Sequence, residues 1–272
     1  RDRSVSRGLG DVYKRQVLAR LIYQFYLSIL KRSAEMINKT LLKAEAEKIG
    51  VFLDETALKR LDMYAEMLVE TNKTLNLTAI TDADEIVYKH FIDSLTLLKC
   101  VDFKENAKVI DVGTGAGFPG VVLLIARPDL IMTLLDGTNK RLLFISNVLN
   151  SLDLKANVVH MRAELAGKDE SFREQFDVVT ARAVANLNTL SEYCMPFVKI
   201  GGYFAPMKST KTEEEVASAK GAIKILGGKI KEIKELNIDN CGERYVILTK
   251  KISQTPSKYP RASAQILKKP LS

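Results

Sequence analysis

The chain has 272 residues, 46% of them apolar and 27% charged, a mix that supplies a packed core and excludes a disordered, collagen-like or low-complexity polymer. The net charge of +8 is unevenly spread: residues 1–35 carry +5, residues 250–272 carry +6, and the body between them carries −3. A basic surface over the whole molecule is therefore excluded, and a basic end segment is what remains for an anionic partner.

Residues 1–35 begin without methionine, and the first Met is Met36. Leu21–Leu30 imitates the apolar part of a signal peptide, but Gln24 interrupts it and no clear cleavage site follows. We read 1–35 as a non-native extension and Met36 as the natural start. No run anywhere reaches 18 uncharged apolar residues, so no membrane span is expected. Cys100, Cys194 and Cys241 are odd in number and lack CxxC spacing. They read as reduced thiols of a cytoplasmic protein, with no disulfide framework and no metal site.

Residues 36–105 have helical periodicity and read as a small helical cap. Asp54 is placed to cap a helix whose Ala57, Leu58, Leu61, Tyr64, Ala65, Leu68 and Val69 share one face. The segment 72–81 breaks the pattern, and a second helix carries Ile86, Val87, His90, Phe91, Leu95 and Leu98. From residue 106 to 250 strands and helices alternate. Strand-like runs fall at Lys108–Val112, Ile131–Asp136, Asn157–Met161, Phe176–Thr180, Tyr203–Lys208, Lys229–Leu236 and Tyr245–Lys250. Between them helices are expected at Val121–Ala126, Thr138–Leu152, Leu187–Val198 and Glu213–Leu226. Repeated βα units predict a parallel sheet covered on both faces. The last two runs are joined by a short link and must be antiparallel, because a parallel pair needs a long crossover. The fold class is thus α/β, with seven mostly parallel strands and the last one reversed. Residues 251–272 form a basic C-terminal tail.

The segment Asp111-Val112-Gly113-Thr114-Gly115-Ala116-Gly117-Phe118-Pro119-Gly120 follows the first strand and opens the first helix. There glycines allow a tight turn and close approach of a ligand. Asp136 ends the next strand, placed to accept hydrogen bonds from ribose hydroxyls. Two cofactors compete for this loop. Gly115 to Gly120 satisfies the dinucleotide fingerprint GxGxxG. The alternating Asp111, Gly113, Gly115 and Gly117 instead match the S-adenosylmethionine loop of Rossmann-like methyltransferases. The acid before the glycines and the reversed last strand favour the methyl donor; a nicotinamide-dependent oxidoreductase is the rival.

Six segments sharpen the reading: Asn76-Leu77-Thr78, His90-Phe91-Ile92-Asp93-Ser94, Asp111–Gly120, Asp136-Gly137-Thr138-Asn139-Lys140-Arg141, Arg162-Ala163-Glu164 and Thr180-Ala181-Arg182-Ala183-Val184-Ala185. Their order resembles the ribosomal RNA small-subunit methyltransferase G family, also called glucose-inhibited division protein B. The resemblance runs from about Met36 to Arg261. It implies an S-adenosylmethionine-dependent enzyme, a class I methyltransferase in fold, that methylates N7 of guanine 527 of 16S rRNA. It further implies a monomer acting within the small ribosomal subunit, with no membrane partner. It places Gly113, Phe118, Asp136, Ala163, Glu164 and Arg182 at the cofactor, with Arg182 also in the catalytic cleft. Alternatives left open are another RNA or a small molecule as methyl acceptor, or an RNA-binding module with a vestigial loop.

Guanine N7 has a lone pair and no proton, so no general base is expected and catalysis reduces to in-line positioning. His90 and Asp93, three apart on one helix, together with His160, invite a metal or base reading; a structural or substrate-positioning role is preferred. The tail cations Lys250, Lys251, Lys258, Arg261, Lys268 and Lys269 are expected to touch RNA, and the tail is expected to be dispensable for cofactor binding.

Overall fold

The structure, a computed structural model, describes residues 35–182, 185–209 and 213–272; residues 1–34 lie outside the described part, so the reading of the extension does too. Residues 36–272 form one compact unit. Its centre is a seven-stranded sheet: β1 (Lys108–Val112), β2 (Ile131–Asp136), β3 (Asn157–His160), β4 (Phe176–Arg182), β5 (Val198–Lys208), β6 (Gly228–Ile238) and β7 (Gly242–Lys251). The spatial order is β3-β2-β1-β4-β5-β7-β6. The first five strands pair in parallel, and β7 runs antiparallel to both β5 and β6. The expected seven strands and the reversal are all present. β5 starts five residues earlier than its apolar run: Val198 pairs with Phe176, and the register then shifts across the exposed or small Ile200–Gly202 stretch before Tyr203 pairs with Val178.

Ahead of the sheet stand α1 (Lys39–Lys48) and α2 (Glu55–Leu75), then α3, which is continuous through Ala83–Ile86, a π turn at Val87–Ile92, and Asp93–Cys100. Asp54 caps α2, its carboxylate accepting the Ala57 amide at 2.7 Å. Met67, not Val69, completes the buried face of α2. The sequence pattern gives α3 one apolar face, but it is buried on nearly every side, including Asp93, Ser94 and Thr96. Ser94 and Thr96 satisfy their hydroxyls on the carbonyls of His90 and Asp93, which leaves Asp93 as the buried charge that needs partners from elsewhere.

The sheet is covered by α4 (Gly120–Ala126), α5 (Asn139–Ser151), the single turn α6 (Ala163–Ala166), α7 (Leu187–Cys194, ending in a 3-10 turn) and α8 (Glu213–Ile225). A last short helix, α9 (Ser263–Lys268), has no signal in the charge-rich tail. All three cysteines are free. No helix among the described residues is long and apolar enough to cross a membrane.

Candidate active site

Near the end of β1 stands Asp111, which is fully buried. Its Oδ2 accepts from the Thr114 hydroxyl at 2.7 Å and from the Gly120 amide at 2.9 Å, while Oδ1 has no partner. Burial pushes its pKa up to about 6, against the opposing hydrogen bonds from Thr114 and Gly120. In the sequence this acid before the glycines counts toward a methyl-donor loop. In the fold its side chain ties both ends of the glycine loop together from beneath. Gly120 must be glycine for this, because a Cβ would stand 2.3 Å from Leu134 Cδ2 and 2.9 Å from Asp111 Oδ2. Gly113 has a φ of 72°, a left-handed conformation that turns the chain sharply away from the strand.

Over this loop lies a cleft of about 530 Å³ whose walls include Gly113, Phe118, Asp136, His90 and Arg182. It continues, across Gly113, Asp136 and Arg162, into a cavity of about 270 Å³ reached by Ala163 and Glu164. All six residues named from the sequence therefore border one groove along the carboxyl ends of the strands, where open α/β sheets bind ligands. Asp136 sits at its middle. Its two oxygens accept from the amides of Gly115 (3.0 Å) and Thr138 (2.7 Å), and a carboxylate has room to accept more. Glu164 receives Arg162 Nε at 3.4 Å.

At the other end of the cleft the side chains are locked. Arg182 donates from Nη1 to the Lys89 carbonyl (3.0 Å) and to Asp93 Oδ2 (2.8 Å), and from Nη2 to His90 Nδ1 (3.2 Å). Its guanidinium also lies 4.9 Å from the centre of the Phe118 ring. Asp93 Oδ1 takes a second arginine, Arg244 Nε, at 3.0 Å. A guanidinium only donates, so His90 Nδ1 must be the acceptor and the ring proton sits on Nε2, facing the Thr78 hydroxyl at 2.9 Å. Burial and the neighbouring Arg182 push the His90 pKa down to about 3; the ring is neutral at any physiological pH. It stacks on Phe118 at 4.3 Å, and Phe118 stacks in turn on Tyr64 at 5.2 Å.

His160 takes no part: it is exposed, with Nε2 against the Gly137 carbonyl. Among the described residues no group of His, Cys, Asp and Glu is arranged to hold a metal. Arg244 is the residue that sequence reasoning misses. It lies 151 positions from Asp93, in a strand whose pattern marks it only as a solvent-side cation.

A second cavity, about 350 Å³, opens on the far side of this clamp of locked side chains, between Ile80, Lys89, Met207, Lys208 and Arg244, and shares His90 and Arg182 with the larger cleft. The tail is different from the free basic arm expected. Lys251 is fully buried, donating to the Met195 carbonyl and Thr255 hydroxyl and paired with Glu174. Arg261 grips the buried Glu192 through both carboxylate oxygens. Opposite charges elsewhere in the chain claim both cations, leaving Lys250, Lys258, Lys268 and Lys269 exposed.

A sheet in this order, with a glycine loop after the first strand and an acid after the second, defines a class I S-adenosylmethionine-dependent methyltransferase. The model of the family described as rRNA small subunit methyltransferase G matches residues 57–244. The ribosomal RNA small subunit methyltransferase G of Alkaliphilus metalliredigens is 45% identical over 238 residues, which span 87% of this chain and all of that one. The protein of the same name from Acetivibrio thermocellus is 47% identical over 240 residues, 88% of this chain and 98% of its own. That of Lactobacillus johnsonii is 46% identical over 239 residues, 86% of this chain and its full length. The chain belongs to the rRNA small subunit methyltransferase G family.

Proposed function

We propose that the protein methylates N7 of guanine 527 in 16S rRNA, acting as a cytoplasmic monomer on the small ribosomal subunit. The observation that carries this reading is that Arg182 and His90 form a wall common to two cavities, one over the glycine loop and one beside it. The groove fits S-adenosylmethionine: Asp136 stands ready for ribose hydroxyls, Gly113 allows close approach, and Ala163 and Glu164 border the adenine end. Phe118, packed between Tyr64 and His90, shapes the cleft where the methionine portion lies. When bound there, the cofactor supplies an activated methyl group on its sulfonium.

The target base enters the second cavity, lined by the cations Lys89, Lys208, Arg182 and Arg244 and by one acid, Asp93. The protein does not need to remove a proton, and the site matches that requirement. His90 is neutral with its pKa near 3 and its Nδ1 already engaged, so it is a poor base. Arg182 is the catalytic residue because it borders both ligands, and Asp93 positions it from behind. What the chain contributes is orientation of the two reactants, the chief source of rate when no proton moves.

The test is to incubate the protein with methyl-labelled S-adenosylmethionine and 30S subunits, then map the modified nucleoside. Label at N7 of guanine 527 is the expected result. Label elsewhere would reassign the substrate, and binding of NADH in place of S-adenosylmethionine would overturn the enzyme class.

A further inference from the structure

The adenine end of the groove is closed by a part of the chain that lies far from it in sequence. Its outer wall consists of Tyr193, from α7, and of Ser263 and Leu267, from α9. Tyr193 and Ser263 share a hydrogen bond of 2.6 Å between their hydroxyls, and Arg162 Nη2 reaches the same Ser263 oxygen at 3.4 Å. Leu267 is 64% exposed although its neighbour Ile266 is fully buried. A large aliphatic side chain left open beside a small cavity is surface that a flat apolar ligand would cover.

The segment carrying these residues is fixed. Arg261 holds Glu192 from its backbone amide and its guanidinium, and it closes back on the Lys269 carbonyl. Arg173 donates to the carbonyls of Thr255 and Tyr259. Ile266 plugs the core beneath α9. The ion pairs that remove Lys251 and Arg261 from the solvent-facing charge thus hold a wall in place.

We propose that the C-terminal segment 261–267 is part of the cofactor site, with Leu267 packing on the adenine ring and the Tyr193–Ser263 pair setting the width of its slot. This rests on the reading that adenine lies beyond Ala163 and Glu164. It also reverses the expectation that the tail is dispensable for cofactor binding. The ligand class recognised is a purine: the slot is mostly apolar, with Asp136, Arg162, Glu164 and two hydroxyls as its polar groups.

The experiment is titration calorimetry on the full chain with S-adenosylhomocysteine and, separately, with adenosine. Position 267 is exposed, so Leu267→Glu leaves the fold unchanged, which a thermal melt verifies. It should weaken both ligands by tenfold or more and by a similar factor, because adenosine carries only the ring and ribose. Leu267→Ala should weaken both about threefold, and Lys268→Ala, one residue on and outside the cavity, should leave both unchanged. Wild-type-like affinity in Leu267→Glu would overturn the proposal. Loss for S-adenosylhomocysteine without loss for adenosine would overturn it too, since the leucine would then act away from the ring. If the wild-type chain itself binds neither ligand, the cofactor assignment fails instead, and the two failures are told apart.

Discussion

The groove is built in opposite ways at its two ends. At the clamp end, Arg182, His90, Asp93 and Phe118 are buried or nearly so, and each is engaged before any ligand arrives. At the end proposed for adenine, Arg162 and Leu267 are largely exposed, and the wall is assembled from a turn after β3 and a helix near the C-terminus. The difference follows the work proposed for each end. Orientation of a methyl group against a ring nitrogen tolerates little looseness, so the clamp is rigid. Holding a purine needs mostly covered apolar area, which open side chains supply.

The largest expected effect comes from breaking the clamp. Arg182→Ala leaves Asp93 with one arginine, His90 Nδ1 with no donor, and Phe118 uncovered. Removing one member of a buried ion pair costs about 3–5 kcal/mol, and the partial compensation by Arg244 puts this case at the lower end. Denaturant melts should show that loss. Single-turnover methylation, run where the variant is folded, should fall by roughly 100-fold or more, the scale on which misplacement of reacting groups is felt. An unimpaired rate would return Arg182 to a purely structural role.

A smaller effect separates two glycines of the loop. Gly120→Ala drives a methyl into Leu134 and Asp111 and should cost roughly 2–3 kcal/mol of stability, as overpacking does. In Gly115→Ala the new carbon meets nothing closer than the Gly113 carbonyl at 3.9 Å. Its cost is the strain of a left-handed conformation, about 1 kcal/mol. Equal losses would contradict the role given to Asp111 as a tie beneath the loop.

pH provides a third handle. The folded pKa of His90 is pushed down to about 3 from an ordinary 6.5. The unfolded chain therefore takes up a proton first as pH falls, and stability is lost between about 6.5 and 3. Asp111 has the opposite sign. Its folded pKa is raised to about 6 from 3.8, so the folded state takes up its proton first and stability is gained as pH falls through that window. The two offset each other below pH 6. His90→Gln removes only the first and should gain about 3 kcal/mol relative to wild type between pH 7.5 and pH 4. Parallel stability curves for the two proteins would show that His90 is not held neutral by its surroundings.

At the middle of the groove, Asp136→Ala should weaken S-adenosylmethionine by roughly 1–3 kcal/mol through lost bonds to an ionised acceptor, measured by calorimetry. The smallest effect belongs to the exposed tail. Lys268→Ala should reduce the salt slope of RNA binding by about 1 at most, the value for a single phosphate that is no longer neutralised. Lys251 and Arg261 are already paired internally, and replacing either should leave the salt slope unchanged.

The sheet is legible in the sequence because most strands are short apolar runs bounded by glycine or polar residues, β6 alternates Ile and Leu with charges, and the short link before Tyr245 leaves no room for a parallel crossover. The loop is legible from its glycines, and Asp136 from its distance down the chain. The clamp is visible only in pieces. His90 and Asp93 share a helix, but nothing local says that Arg182 and Arg244 arrive from two different strands to neutralise Asp93. Nor does periodicity register the π turn at Val87–Ile92. The tail misleads because charge density along a sequence does not reveal counter-charges distant in the chain, here Glu174 and Glu192.

If the clamp end governs the transfer step and the adenine end governs cofactor affinity, the two can be separated by rate alone. The decisive quantity is the single-turnover rate of Asp93→Asn on 30S subunits at saturating S-adenosylmethionine. A rate reduced by roughly 30-fold or more, through lost orientation, and not restored by added cofactor is the expected result. A wild-type rate, or one recovered by more S-adenosylmethionine, would contradict this division of labour.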